Sequence, residues 1–252
     1  AYRRSAAATC RANRVSTPSA AYRLMTRRTS GACEGVYLPN DKKTREERYR
    51  YLFQHFAVPA ERWDTALIVD RVSDDNYYQD FGTSLGQTSR QFLRSSAELR
   101  GVGRYWNLQL MADDFQVIDE AVSPDNEPYR RLPRLAYWSD RPLTDSGLSL
   151  ALDSELVYFD RDVGTTGARV DLLPMVYWDL QNHWGFLKPS AGYRYTAYDL
   201  DPESPDGDDS PATGAAIASF DAGLVFDRHA ASGALQTLEP RLFYLYVPHE
   251  QQ

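Results

Sequence analysis

The side chains that could perform chemistry are few and scattered along the chain. The four histidines, His55, His183, His229 and His249, fall mainly in predicted turns, without an HExxH motif or a cysteine partner. A Ser-His-acid hydrolase site stays open as an alternative, but no serine lies in a distinctive setting. We therefore expect no catalytic residue, no cofactor and no enzymatic activity.

The acidic loop from Asp199 to Asp209, DLDPESPDGDD, has a composition suited to a metal ion. Hard cations such as Ca²⁺ are bound by clustered carboxylates. The EF-hand pattern fails, because the sixth position is Ser204 instead of Gly and the twelfth is Ser210 instead of Glu. A solvated surface loop is the favoured interpretation, and weak divalent-cation binding is the alternative. No metal ligand is predicted.

Neither the glycines nor the cysteines provide a stronger candidate for a functional site. Gly101 and Gly103, with their basic neighbours, are too sparse for a phosphate-binding loop and predict a turn. Both cysteines, Cys10 and Cys33, lie in the first 33 residues, so the rest of the chain has none. That distribution proves little about the compartment.

The elements that must position any site are predicted to be long β-strands. From Ala216 to Phe226 every even-numbered residue is apolar, whereas Ser219, Asp221 and Gly223 lie between them. A period of two indicates a strand with one apolar and one polar face. The run approaches the 9 to 11 residues with which a tilted strand crosses a bilayer, and exceeds the usual five or six.

This alternation predicts which side chains face lipid. We expect Phe220, Leu224 and Phe226 to face the bilayer, and Ser219 and Asp221 to face the lumen. A second alternating run follows the turn 227–236. Its apolar face carries the following residues: Leu238, Pro240, Leu242, Tyr244 and Tyr246.

Eleven strand-like runs alternate with turn signals. They are 31–38, 49–55, 63–72, 91–100, 105–116, 129–138, 148–159, 168–177, 184–199, 215–226 and 237–247. Connections that follow odd-numbered runs, such as 73–90 and 117–128, are long, and those that follow even-numbered runs, such as 101–104, are mostly short. This asymmetry is typical of outer-membrane barrels, with long loops outside and short turns in the periplasm.

These patterns predict an all-β fold, an antiparallel transmembrane β-barrel fragment. We expect a meander of about ten to eleven strands, forming an open curved sheet in isolation. Aromatic residues near the predicted strand ends fit interfacial girdles, and equally fit the packed core of a soluble sandwich. The mean hydropathy of −0.54 is compatible with a barrel, whose lumen is polar. No run of about 18 apolar residues is present, so no transmembrane helix is predicted.

Residues 1–33 differ in composition from residues 34–252. They hold seven of the 28 basic residues and no acid, which leaves 21 basic against 35 acidic residues in the remainder. We predict an atypical leader, disordered or mistranslated, with a poorly matched strand near 22–28. A transit peptide and a nucleic-acid arm are the alternatives, and no interleaved aromatics support the second. The chain starts without Met and stops just after a strand, so we expect an internal fragment.

The last segment, QTLEPRLFYLYVPHEQQ, resembles the hallmark of the LPS-assembly protein LptD family, QTLEPR-x-x-YLYVP-x-x-x-Q. Further similar segments occur in the family order: EGVYLPNDKKT (34–44), VSDDNYYQDFG (72–82), FQVID (115–119), RVDLLPMV (169–176) and NHWGFLKP (182–189). The resemblance covers residues 22–252. It identifies residues 34–252 as part of an LptD-like barrel domain.

The resemblance implies a function and partners that the residue patterns alone do not. The complete protein is expected to move lipopolysaccharide into the outer leaflet of the Gram-negative outer membrane. An LptE-like lipoprotein plug and a periplasmic LptA-like bridge are the implied partners, the latter acting through a domain outside this chain; no nucleic acid is expected. The family's disulfides are not transferred, because neither cysteine lies in a matching motif. A general porin and a soluble carbohydrate-binding β-sandwich remain the alternatives.

Overall fold

A computed structural model describes residues 5–13, 15–42, 45–201, 209–229 and 233–248, with side chains from residue 23 onward. In these ranges the chain forms sixteen β-strands, two short α-helices and a 3₁₀ turn, Pro124–Asn126. The strands are β1 (Ser5–Asn13), β2 (Val15–Met25), β3 (Thr29–Leu38), β4 (Arg48–Ala60), β5 (Trp63–Val72), β6 (Phe92–Val102), β7 (Trp106–Val117), β8 (Arg130–Pro142), β9 (Leu148–Asp160), β10 (Thr166–Trp178), β11 (Leu180–Asn182), β12 (Gly185–Asp201), β13 (Ala212–Leu224), β14 (Phe226–His229), β15 (Leu235–Leu238) and β16 (Arg241–Tyr246). The helices are α1 (Tyr77–Phe81) and α2 (Leu85–Thr88).

One antiparallel sheet contains fourteen of these strands. They pair in the order in which they occur in the sequence, from β1 to β10 and then β12, β13 and β16, while β11 pairs with the start of β12. The sheet is open, since the described residues of β1 and β16 do not pair with each other. The predicted all-β meander is confirmed, and each of the eleven predicted runs corresponds to a strand of the sheet.

The connections at the two edges of the sheet differ in length, as the sequence indicates. At one edge lie 39–47, 73–91, 118–129, 161–165 and 202–211. At the other lie 26–28, 61–62, 103–105, 143–147 and 179–184, together with one long connection, 225–240. We call these the long-loop edge and the short-turn edge. Helices α1 and α2, which the sequence did not predict, lie in 73–91. None of the helices in the described ranges is long and apolar enough to cross a membrane.

The two runs around the turn 227–236 form one hairpin with a single register. Gly223 pairs with Arg241 in the main sheet, and Phe226 pairs with Leu238 in the separate β14–β15 ladder, which continues the same register. The regular ladder is interrupted because Pro240 has no amide hydrogen to donate. Its carbonyl still accepts from the Leu224 amide at 3.0 Å. The predicted strands are therefore present, but each is broken once.

The arginine-rich start of the chain also contributes strands. Ser5–Asn13 pairs with Val15–Met25, which pairs in turn with β3. The domain boundary at residue 33 remains a prediction. His249 lies outside the described residues.

The two faces of the sheet have opposite chemistry. Directly paired residues share a face and alternate residues change face, so the register assigns every strand residue. One face, here the outer face, exposes large apolar side chains: Leu67, Leu110, Leu150, Leu156, Leu172, Val176, Phe220 and Leu224. The other face, here the inner face, carries most of the charged strand residues. A soluble domain with one sheet packs the apolar face of that sheet into its core. This sheet leaves its apolar face exposed, which is the inverse arrangement.

Candidate functional site: the charged inner face

A row of ion pairs crosses the inner face of β6, β7 and β8. Asp113 on β7 accepts a hydrogen bond from Arg94 Nε at 3.0 Å and contacts the guanidinium of Arg131 from the opposite side. Its side chain is 0% exposed, whereas the two arginines reach solvent. A fully buried carboxylate needs this compensation, because desolvating an unpaired charge costs several kcal/mol.

The same arrangement repeats on the next strands. Glu155 on β9 accepts from Arg134 Nε at 2.5 Å and pairs with Arg169 on β10. Asp171 accepts from Arg194 Nε at 3.0 Å and from the Thr196 hydroxyl at 2.6 Å. Charges of opposite sign therefore meet between neighbouring strands, and β10 carries both an arginine and an aspartate.

A separate inner-face ion pair lies nearer the short-turn edge, on the strands nearest the end of the chain. Asp221 on β13 accepts two hydrogen bonds from Arg241 on β16, at 2.8 and 2.6 Å. The Arg241 guanidinium also lies 5.9 Å from the centre of the Phe186 ring. That ring crosses Gly223, where a Cβ atom would be 2.3 Å from it. The pair joins β13 to β16 beside the Pro240 interruption.

Side-chain length explains the layering of this row. A carboxylate on a short stem stays against the sheet, and a guanidinium on a long stem extends past it into solvent. Two arginines flank Asp113 and two flank Glu155, and a fork of donors suits that geometry. The row is therefore a preformed, hydrated and charged surface with recessed acids.

The inner face of β3, β4 and β5 carries both apolar and charged side chains. The apolar ones are Val36, Leu52, Phe56, Ala66 and Ile68, and the charged ones are Glu34, Arg48, Arg50, Asp64 and Asp70. Phe56 is 42% exposed and borders a groove of about 650 Å³ that Asp64 and Arg100 also line. This part of the inner face therefore presents an exposed aromatic ring among charged residues.

Arg48, the first residue of β4, holds the 73–91 connection against the long-loop edge. It is 2% exposed and donates two hydrogen bonds to Asp74, at 2.9 and 2.8 Å, one to Asp80 at 2.6 Å and one to Asp41 at 3.1 Å. Its guanidinium carbon also lies 4.7 Å from the centre of the Phe81 ring. Arg48 shares the inner face with Arg50, so the connection covers that face at this edge.

Helix α1 forms a small core beneath this anchor. Tyr77 and Tyr78 pack with Val72, Leu93 and Ile118. Burial raises the pKa of the Tyr77 and Tyr78 hydroxyls, so both stay protonated at neutral pH. Two neutral rings and one buried cation therefore fix the connection.

Replacing Arg48 by glutamine should release the 73–91 connection. Three carboxylates would lose their shared cation, and like charges at this distance repel one another. We expect at least a tenfold rise in the rate at which an added protease cuts 73–91 in the full-length protein. Arg104→Gln is the matched control, because Arg104 is exposed in a short turn. An unchanged cleavage rate in Arg48→Gln would contradict the anchor.

Aromatic side chains occur near both ends of the outer face. Tyr37, Tyr49 and Tyr51 are exposed near the long-loop edge. Near the short-turn edge, the rings of Trp63 and Trp106 lie 6.0 Å apart. Amphipathic rings at the two ends of an apolar band are typical of membrane interfaces.

Of the two glycines predicted to form a turn, Gly103 lies in the turn 103–105 and Gly101 lies within β6, and both make room for these rings. A Cβ atom at Gly101 would lie 2.7 Å from the Trp63 ring, and one at Gly103 would lie 2.0 Å from Trp106. Gly101 ends the β6 ladder opposite Trp63, and Gly103 lies in the turn 103–105. The two glycines serve packing at the short-turn edge.

The three histidines within the described ranges are not brought together. His55 lies on β4 and stacks on Phe53 at 6.2 Å, His183 lies between β11 and β12, and His229 ends β14. Cys33 is a free thiol on β3. Over the described ranges no group of three or more His, Cys, Asp or Glu residues has a geometry that could hold a metal ion. Most of the loop between Asp199 and Asp209 lies outside those ranges, so cation binding there stays a hypothesis.

Comparison with known proteins decides the family. The family described as LptD, LPS transport system D, matches residues 46–252. The chain belongs to the LptD family. Curated LptD relatives include the LPS-assembly protein LptD of Nitrosococcus oceani, 37% identical over 88% of this chain, and that of Alkalilimnicola ehrlichii, 35% identical over 92%. The LptD of Xanthomonas campestris pv. campestris is 32% identical over 88%. The chain spans about a third of the length of these LptD relatives.

The structure gives physical roles to the segments that resemble LptD. In QTLEPR, Arg241 pairs with Asp221, Pro240 interrupts the ladder and Thr237 donates to Asp227 at 2.7 Å. In VSDDNYYQDFG, Asp74 and Asp80 bind Arg48. Reasoning from the sequence missed the ion-pair row. The sequence signal that could have revealed this row is the presence of charged residues at positions that share a face on neighbouring predicted strands.

Proposed function

We propose that the complete protein of which this chain is a part transports lipopolysaccharide and assembles it at the outer leaflet of the Gram-negative outer membrane. The chain would form part of the barrel wall. The observation that carries the proposal is the inverted sheet of an LptD-family chain. An apolar outer face suits lipid, and a charged inner face suits a hydrated passage for a saccharide. No bond needs to be made or broken in such transport.

Two features of the inner face suit different partners. The exposed Phe56 ring beside a groove on β3–β5 suits a protein that packs inside the barrel, such as an LptE-like lipoprotein plug. The ion-pair row on β6–β12 suits the hydrated saccharide. A periplasmic LptA-like bridge would deliver the lipid through a domain outside this chain.

The proposal is tested in a Gram-negative strain depleted of its own copy of the full-length protein. Supplying the wild-type protein should restore newly made lipopolysaccharide to the cell surface, measured by its modification by an outer-leaflet enzyme. A variant lacking 92–117, the β6–β7 hairpin, should not restore it. Normal surface lipopolysaccharide in depleted cells would contradict the proposal. Steady ion conductance through the barrel with the plug bound would also contradict it and would favour a porin.

Single cysteines should establish which edge of the sheet faces outside. Every crossing strand inverts the side, and long loops belong outside. In the full-length protein an impermeant thiol reagent added to whole cells should label Asp206→Cys, in the 202–211 connection, and spare Gly233→Cys, in the β14–β15 turn. Both variants are made without Cys10 and Cys33. Labelling of Gly233→Cys alone would invert the topology, and labelling of both in intact cells would contradict membrane crossing.

A further inference from the structure

The β13–β16 hairpin projects beyond the neighbouring strands at the short-turn edge. Gly185, the first residue of β12, pairs with Leu224, so β12 ends level with that residue. The hairpin continues for residues 225–239, joined to the rest of this edge by the hydrogen bond from the Val225 amide to the Trp184 carbonyl at 2.8 Å. From Leu224 to Arg228 it adds roughly 14 Å at about 3.4 Å per residue. The connections 26–28, 61–62 and 103–105 at the same edge are tight turns.

The continuous register assigns each residue of this projection to a face. Ala218 pairs with Tyr246, and His229 pairs with Leu235 in the same series. Phe226 and Leu238 therefore lie opposite each other on the outer face, in line with Leu224. They are 53% and 66% exposed. The exposed apolar surface of the sheet thus extends past the sheet itself.

The opposite face of the projection is mixed. Asp227 accepts a hydrogen bond from the Thr237 hydroxyl at 2.7 Å, and Val225 and Leu235 lie on the same face. On the outer face, the pair Arg228 and Gln236 ends the apolar surface one step beyond Phe226 and Leu238. The outer face of the projection therefore carries an apolar pair followed by a cation.

An apolar groove lies beside the base of the projection. It has a volume of about 670 Å³, and its lining includes Leu187, Leu224 and Leu242 of the outer face as well as Phe186 and Arg241 of the inner face. The lining is mainly apolar, and a groove of this volume accommodates part of an acyl chain. Trp184 at its rim suits the headgroup level of a bilayer.

We propose that the outer face of the projecting hairpin binds phospholipid of the periplasmic leaflet, with an acyl chain in the groove and Arg228 near the phosphates. The continuity of Phe226 and Leu238 with the apolar outer face, and the cation that follows them, favour a lipid surface over a protein partner. Cations next to an interfacial apolar surface strengthen binding to anionic lipid. The inference rests on the proposed function, because it requires the outer face to contact a bilayer.

Spin labels on neighbouring residues test this inference. Nitroxides are attached to Leu238→Cys, Thr237→Cys and, as a reference within β13, Phe220→Cys, in full-length protein lacking Cys10 and Cys33. The protein is placed in vesicles of phosphatidylethanolamine and phosphatidylglycerol. At 238 and at 220, collisions with oxygen should exceed collisions with a water-soluble nickel chelate several-fold. At 237 the order should be reversed.

Each other result overturns the inference in an identifiable way. A label at 238 that meets nickel, while the label at 220 lies in lipid, places the hairpin in water. A label at 238 shielded from both reagents, with 220 in lipid, indicates a protein covering the hairpin. Access of nickel to the label at 220 contradicts the placement of the outer face of β13 in the bilayer. It therefore also contradicts the binding of phospholipid by the hairpin. Phe226→Cys repeats the measurement at the paired position if Leu238→Cys does not assemble.

Discussion

Replacing Asp113 by asparagine should lower the free energy of unfolding of the full-length protein by about 3 kcal/mol, the lower end of the range for breaking a buried ion pair. Asp113 lies between Arg94 and Arg131 and also accepts the Arg131 amide at 3.1 Å. The neutral amide cannot compensate two cations. The loss stays at the lower end because both guanidinium groups reach solvent. Denaturant unfolding in lipid vesicles measures the change.

Two controls separate this effect from a general loss of charge. Asp162→Asn breaks a pair with Arg130, but Asp162 is 71% exposed, so the change should stay within about 0.5 kcal/mol. Replacing Asp113, Arg94 and Arg131 together by apolar residues of similar size should recover much of the stability, because no buried charge is left unpaired. Equal destabilisation by Asp113→Asn and Asp162→Asn would contradict the structural role of the row.

The second large effect concerns the outer face of β13. Phe220→Arg should destabilise the full-length protein in a bilayer by roughly 2 to 4 kcal/mol, because its side chain would enter lipid near the midplane. Leu224→Arg should cost less than Phe220→Arg, because Leu224 lies nearer the short-turn edge and the cost of a lipid-facing arginine falls towards the interface. Ser219→Arg should be milder than both, because Ser219 lies on the inner face.

The comparison is made by measuring folding yields and unfolding free energies in the same vesicles. Ser219 now shares a hydrogen bond of 2.6 Å with Ser190, so some loss is expected there as well. The informative quantity is therefore the difference between neighbouring positions 219 and 220. Equal losses at the two positions would show that the outer face does not contact lipid.

The sequence by itself determined the strands, their order and their two faces. A period of two is a local property that backbone geometry imposes, so the alternation from Ala216 to Phe226 was sufficient to separate Phe220 from Ser219. Connections too short for parallel crossovers left sequence-order pairing as the outcome. The segments resembling LptD identified the family before any contact was known.

The tertiary structure decided which side chains meet. Arg94, Asp113 and Arg131 lie on three strands, and whether they align depends on register and on the irregularities within β7 and β8. The anchor at Arg48 joins residues 26 and 32 positions apart, through a connection whose two short helices have no strong periodic signal. The projecting hairpin likewise emerged from the pairing, since its length beyond β12 is a relation between three strands. Such contacts are set by the stagger of strands distant in sequence, and a single local pattern does not encode that stagger.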